Sequence, residues 1–316
     1  MLKSLCELNG VSGYEKLVVE YLFHMLKGFD NGETRIDNIG NLIFYIHGYD
    51  SNKKILVQAH IDEVGFQVIS QLERGQYSIK SLGNIKTWNA YQQRVISSRG
   101  IPGVIYANNP EQLKSYNFDN LVLETVGSSE NILPGEVFAF KAPFFSTNDC
   151  YIGKALDDRV SCYCLLEAIK HCGRLQNDTY ICFSVQEEIG MRGARVLKSS
   201  IRPDVSINVD LSSTEYRNSL KMGKGVGIKL SDSIGISSQR CVELACNIAT
   251  SYEIPFQLES SDCGTCEFII TNEIDAGCDE LGISIPCKHL HCSNTIVNKD
   301  DVYACIKILP KLIAMI

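Results

Sequence analysis

The sequence predicts an α/β fold built on a mostly parallel sheet and interrupted by an inserted β-rich domain. Short apolar runs recur as KILVQA (54–59), YICFSV (180–185), VSINV (205–209) and LGISI (281–285), the pattern of strands buried on both faces. Segments with helical spacing alternate with them at 158–171, 193–199, 239–251 and 301–313. Between about Gly65 and Cys150 the texture changes to pieces such as YSIKSL, RVISS and GVIYA, separated by Gly, Asn, Pro and Ser turns.

Taken in chain order, Tyr14 to Leu26 places Val18, Leu22, Met25 and Leu26 on one helical face, after a Gly-Val-Ser-Gly turn whose Ser12 is expected to cap the helix. The buried strand KILVQA follows and ends at His60. The chain then enters the insert at Gly65 and leaves it at Gly153, so residues 1–64 and 153–316 are expected to form the main domain and 65–152 the inserted one. With 316 residues the chain exceeds one ordinary domain and has enough core for a deep site.

Composition narrows the function classes. No apolar run is long enough to span a membrane, and the start MLKSLCELNGVSGYE lacks an apolar signal core, so a cytoplasmic protein is expected. Fourteen scattered cysteines without a secretory signal point to reduced thiols. A net charge of −7, with no Lys/Arg stripe interleaved with aromatics, argues against nucleic acid as a partner.

In open α/β sheets ligands bind outside the carboxyl ends of the strands, so the residues after each run carry the functional reading. KILVQA leads to His60 and Asp62, YICFSVQ to Glu187 and Glu188, VSINV to Asp210, and LGISIP to His289 and His291. On an extended strand His60 and Asp62 point to one face, where the carboxylate can orient the imidazole for a metal; the same pair also serves as a metal-free hydrogen bond. Two adjacent glutamates after a buried strand repel unless a cation or a shared proton compensates. Their side chains diverge, so one can bind metal while the other moves a proton as general base. Asp157 and Asp158 open a helix, where an aspartate commonly caps, and Asp210 can cap a loop. These acids gain meaning only beside the other candidates.

Together these residues resemble the M42 family of metallo-aminopeptidases, which includes the glutamyl aminopeptidases and the tetrahedral TET peptidases. The likeness spans nearly the whole chain, through NGVSGYE at Asn9, AHIDEVGF at Ala59, KALDDRV at Lys154, VQEEIGMRGA at Val185, PDVSINVD at Pro203, MGKGVGIK at Met222 and ISIPCKHLH at Ile283. The resemblance implies a dinuclear metallopeptidase with two divalent ions held by His60, Asp157, Glu188, Asp210 and His291. It makes Asp157 the bridge between the metals and Glu187 the general base; Asp62, read from its strand position behind His60, is the second catalytic candidate. It also implies a cis Asp157–Asp158 peptide bond. Zinc suits this imidazole and carboxylate set, and cobalt or manganese also fit. Two such ions roughly 3.5–4 Å apart lower the pKa of a shared water and polarise the scissile carbonyl. Short peptides would be the substrate. The insert would build a dimer, and dimers would assemble into a homo-oligomer, up to a hollow dodecamer.

The chain departs from the family pattern at three places. Gly264-Thr265-Cys266 stands where Gly-Thr-Asp is common, Asn108-Asn109-Pro110-Glu111 where a loop often carries Pro-Pro-His, and Lys288-His289 where Arg-Tyr is usual. His291 aligns best as the late ligand, with His289 its competitor. Cys263 and Cys266 with Cys287, His289, His291 and Cys292 offer an alternative structural zinc site, against the plainer reading of cysteine as a small buried residue. A non-catalytic assembly protein on the same scaffold and a hydrolase of another amide remain alternatives to the aminopeptidase. Glu215, Arg217 and Lys221 in the loop from Leu211 to Lys221, a candidate specificity wall, carry mixed charge and select no side chain.

Overall fold

The structure is a computed structural model that describes residues 1–50, 52–114, 116–125, 131–215, 217, 219–233, 235–262 and 277–316. In chain order the elements are α1 (Leu2–Glu7), α2 (Lys16–Leu26), β1 (Glu33–Ile36), β2 (Leu42–Ile46), β3 (Lys54–His60), β4 (Gly65–Glu73), β5 (Gln76–Leu82), α3 (Thr87–Ala90), β6 (Arg94–Ser97) and β7 (Pro102–Ala107). There follow β8 (Leu121–Glu124), β9 (Val137–Phe140), β10 (Phe145–Ser146), β11 (Cys150–Gly153), α4 (Leu156–His171), β12 (Asp178–Ser184), α5 (Arg192–Ile201) and β13 (Val205–Ser213). The chain closes with β14 (Val226–Ser231), α6 (Gln239–Ser251), β15 (Phe256–Ser260), β16 (Asp279–Lys288), β17 (Thr295–Asn298) and α7 (Lys299–Met315).

The main sheet runs β1-β2-β12-β3-β13-β16-β17-β11-β10, with β14 paired to β16 and β15 paired to β14. The four expected runs form its centre, β12, β3, β13 and β16, and these pair in parallel. Both flanks are antiparallel, from β2 outward on one side and from β17 outward on the other, so the sheet is mixed around a parallel core. Alternation along the central strands covers both faces. Ile55, Val57 and Ile207 join the cluster containing α4 and α7, whereas Leu56 and Cys182 meet Leu197 and Ile201 of α5 on the opposite face.

The insert is a closed barrel, β4-β5-β8-β7-β6-β9, with Phe66, Phe138, Phe140 and Ile105 in its core. A closed sheet has no open edge to protect, which suits short strands between polar turns. β10 and β11 already pair within the main sheet, so by sheet membership the second boundary falls between Phe140 and Phe145, ahead of the expected position at 152. Ser12 does not cap α2. Its hydroxyl donates to Asp62 at 2.6 Å, and Glu15 occupies the N-cap position without a side-chain capping bond. Every described cysteine is a free thiol, and none of the described helices is long and apolar enough to cross a membrane.

Candidate metal centre

Parallel register sets the centre. Ser184 stands opposite His60, and Asn208 opposite Gln58, so Glu187 and Glu188 begin just beyond His60 while Asp210 comes level with it two residues later. Asp210 lies inside β13, which continues to Ser213, instead of in the loop that follows. α4 delivers Asp157 from the other side through a kink in which Asp157 and Asp158 depart from helical angles, and their peptide bond is cis. Five non-glycine residues around the centre adopt left-handed backbone: Ala155, Gln186, Met191, His289 and His291. Conformations of this kind persist where surrounding contacts over-determine them.

Asp157 joins the two halves. Its Oδ1 lies 3.2 Å from His60 Nε2, and its Oδ2 lies 3.2 Å from His291 Nε2. His60 Nε2 is also 3.9 Å from Asp210 Oδ1 and 4.0 Å from Glu187 Oε2, while His291 Nε2 is 3.4 Å from Glu188 Oε2. Each imidazole is oriented through its other nitrogen, His60 Nδ1 by Asp62 Oδ1 at 3.3 Å and His291 Nδ1 by the Asn84 carbonyl at 3.1 Å. All seven site residues expected from sequence therefore meet in one place. The competitor His289 turns away, its Nδ1 lying 3.1 Å from Glu215 Oε1 and its backbone N–H donating to Glu215 Oε2. Cys263 and Cys266, proposed partners in a structural zinc site, lie outside the described residues, as does the GTC departure. Asn109 caps the turn Pro110–Gln112 with its side chain.

The electrostatics are those of a site made for positive charge. Burial works against the ionised Asp157, but hydrogen bonds to His291 and His60 outweigh it and hold its carboxyl well below the usual range. Burial likewise opposes protonation of the imidazoles, yet Asp157 and Asp62 raise the pKa of His60, and Glu188 with Asp157 raises that of His291 to about 9. Burial pushes Glu188 up to about 8, and its Oε1 has no hydrogen-bond partner among the described residues. Buried carboxylates with an unmet oxygen, facing imidazoles, are a donor set that a divalent cation satisfies. Triplets of ligand atoms from Asp157, Glu188 and His291, and from His60, Asp158 and Asp210, lie within 4.8 Å of one another.

Three parts of the site escaped sequence reading. Asp158 reaches the second of those triplets. Below the centre, Lys154 Nζ holds both oxygens of Glu63 at 2.7 and 2.8 Å, and Arg159 Nε donates to the Ile61 carbonyl at 2.6 Å, all of them buried. The third is Glu15. The available signal was position: Glu63, Lys154, Arg159 and Glu15 each fall inside or beside a motif already singled out for its neighbours.

Comparison with known proteins agrees with this geometry. The model of the family described as M42 glutamyl aminopeptidase matches residues 40–308. The lysyl aminopeptidase of Pyrococcus furiosus is 28% identical over 339 residues, covering 99% of this chain and 96% of that protein. An aminopeptidase from the archaeon Desulfurococcus kamchatkensis superposes with a TM-score of 0.93 at 25% identity, covering 100% of this chain and 94% of its own. The Pyrococcus horikoshii TET1 peptidase, which can assemble into a tetrahedron or a large octahedral shell, gives 0.89 at 26% identity, covering 100% and 98%. With the family match running through the strands and the helix that build the centre, the chain belongs to the M42 glutamyl aminopeptidase family.

Proposed function

We propose that this chain removes N-terminal residues from short peptides, using two divalent cations shared across Asp157. The observation that carries the reading is the division of the Asp157 carboxylate, one oxygen toward His60 and the other toward His291. His60, Asp157 and Asp210 would hold one cation, and Asp157, Glu188 and His291 the other. When bound, the cations, zinc foremost with cobalt or manganese compatible, acidify a shared water and polarise the scissile carbonyl.

The rest of the chemistry belongs to the chain. Glu187, whose Oε2 lies 4.0 Å from His60 Nε2, would take the proton of the attacking water and return it to the leaving amine. Asp62 is fully buried. It orients His60 and accepts from the backbone amides of Glu187 and Glu188 at 2.9 and 3.1 Å, so it acts through them as a positioning residue. The domain division belongs to the same proposal, with an insert that opens at Gly65 and, by sheet membership, closes between Phe140 and Phe145 instead of at 152, and with the barrel as the dimer-forming unit. The assemblies of TET1, a dodecamer in one structure and a tetrahedron or octahedral shell in another, support a homo-oligomer with the dodecamer as its proposed size, and the free thiols of the described cysteines are in keeping with the cytoplasm as its compartment.

The test is an assay of the protein loaded separately with zinc, cobalt and manganese against aminoacyl amides, short peptides and their N-acetylated partners. Release of the first residue that requires a free amine and stops on chelation is the expected result. Equal cleavage of N-acetylated substrates would make the chain a hydrolase of another amide, and inertness with metals bound would make it a non-catalytic member.

A further inference from the structure

Glu187 and Glu188 lie on a turn whose carbonyls at 185–187 accept from the backbone amides of residues 190–193, while its own amides are held by side chains from elsewhere in the sequence. Four successive amides are taken in order. The Val185 N–H donates to Asn41 Oδ1 at 3.0 Å and the Gln186 N–H to Glu15 Oε1 at 3.1 Å. The Glu187 and Glu188 N–H groups donate to the two oxygens of Asp62. Gln186 itself is left-handed, with φ of 58°, a conformation that relies on outside contacts to persist in a residue with a side chain. Asp62 and Asn41 sit on or beside strands of the main sheet. Glu15 does not: it comes from the N-terminal NGVSGYE segment, where its Oε1 also accepts from the Gly13 N–H at 2.7 Å.

That segment is tied to the centre at three further points. The Gly10 N–H donates to Glu63 Oε1 at 3.0 Å, the Glu63 N–H donates to the Gly10 carbonyl at 2.9 Å, and the Ser12 hydroxyl donates to Asp62. Glu15 is 5% exposed although it carries a carboxylate next to that of Asp62. Burying a second acid beside the first is unfavourable unless its hydrogen bonds return something. A cavity of about 660 Å³ borders Glu15, Gly40 and Val185, the residue that leads into the turn.

We infer that Glu15 is a positioning residue for the reaction: by holding the Gln186 amide it fixes the turn that aims Glu187 and Glu188 into the metal centre. The inference rests on the aminopeptidase reading for its kinetic consequence, but its structural consequence is independent of it. What the role requires is an acceptor oxygen at the reach of a glutamate side chain, and the negative charge is incidental.

Two variants separate reach from charge. Glu15→Gln keeps the reach and loses the charge, while Glu15→Asp keeps the charge and falls one methylene short. Both are compared with the wild type, loaded with zinc, by amide hydrogen exchange over residues 185–191 without substrate, and by kcat and KM on the best substrate of the panel above. The expected result is faster exchange at 186–188 in Glu15→Asp, with kcat lower by about 10–100-fold, KM unchanged and zinc content unchanged. Glu15→Gln should match the wild type in both readouts. Unaltered exchange and kcat in Glu15→Asp, or a Glu15→Gln as impaired as Glu15→Asp, would overturn the inference, as would a change confined to KM or to thermal stability. A wild type inert on every substrate counts against the aminopeptidase reading alone, and the exchange comparison then still decides the role of Glu15.

Discussion

Inside the barrel, Phe66, Phe138 and Phe140 pack with aliphatic neighbours, and the buried polar residues described between Gly65 and Phe140 are Thr87, Ser97 and Thr125. At the carboxyl ends of the main sheet, only a short way along the chain, His60, Asp62, Glu63, Lys154, Asp157, Arg159 and Asp210 are all buried. The barrel is held by apolar burial, which needs no partner outside the chain. The sheet ends instead bury groups that are tolerable only when paired or bound to a cation, and left-handed residues gather around them. One part of the molecule spends little on function; the other gives up stability to hold a chemical centre.

This contrast is open to direct attack. The largest effect is expected from Asp157→Ala, which removes the carboxylate common to both halves. Metal content and peptidase activity should both fall by more than the ~100-fold typical of changes behind a ligand, and equilibrium dialysis with an activity assay would show it. If one metal still bound at full affinity, Asp157 would not be shared. Next comes Phe138→Ala in the barrel, which should lower stability by about 3–5 kcal/mol in a denaturant titration while leaving metal affinity unchanged. A loss of metal affinity from that change would erase the distinction between the two regions. Asp62→Asn should cost about 10–100-fold in metal affinity or activity, because it weakens the grip on His60 and on the Glu187–Glu188 turn together.

The smallest expected effect is in pH dependence. In the metal-free protein Glu15, Glu188 and His291 have folded pKa values of about 7, 8 and 9, above their ordinary values of 4.5, 4.5 and 6.5. A group whose folded pKa is raised binds its proton more tightly in the native state. Its contribution is complete below the unfolded value and is lost as pH rises through the folded one. Melting temperature without metal should therefore decline between about pH 5 and pH 9. With metal, the ligands give up those protons on binding, so metal affinity should strengthen over the same interval. A metal-free melting temperature that rises with pH would mean the acids of the centre are already ionised and compensated.

Much of this was legible in the sequence because buried parallel strands write themselves as apolar runs, and the residue after each run is then placed by topology. His60, Glu187, Glu188 and Asp210 were found that way, and His291 through its motif. The antiparallel flanks were harder to see, since β1 is largely exposed, with a half-buried residue only at its second position, and β10 is two exposed residues long, too little for a hydrophobic pattern. Ser12 was misassigned because a serine before a helix reads as a cap, whereas its hydroxyl is taken by Asp62 from a segment 50 residues away. Glu15, Lys154 and Arg159 share that difficulty: each acts through a long-range partner, and local pattern carries no trace of such a pairing.

The most direct test of the account is the turnover of a peptide substrate by Glu187→Gln, with metal content measured on the same sample. The variant should hold metal as the wild type does and release the N-terminal residue about 10²–10⁴-fold more slowly. A fully loaded variant that turns over at the wild-type rate would contradict the account, because the proton would then be moved by some other group.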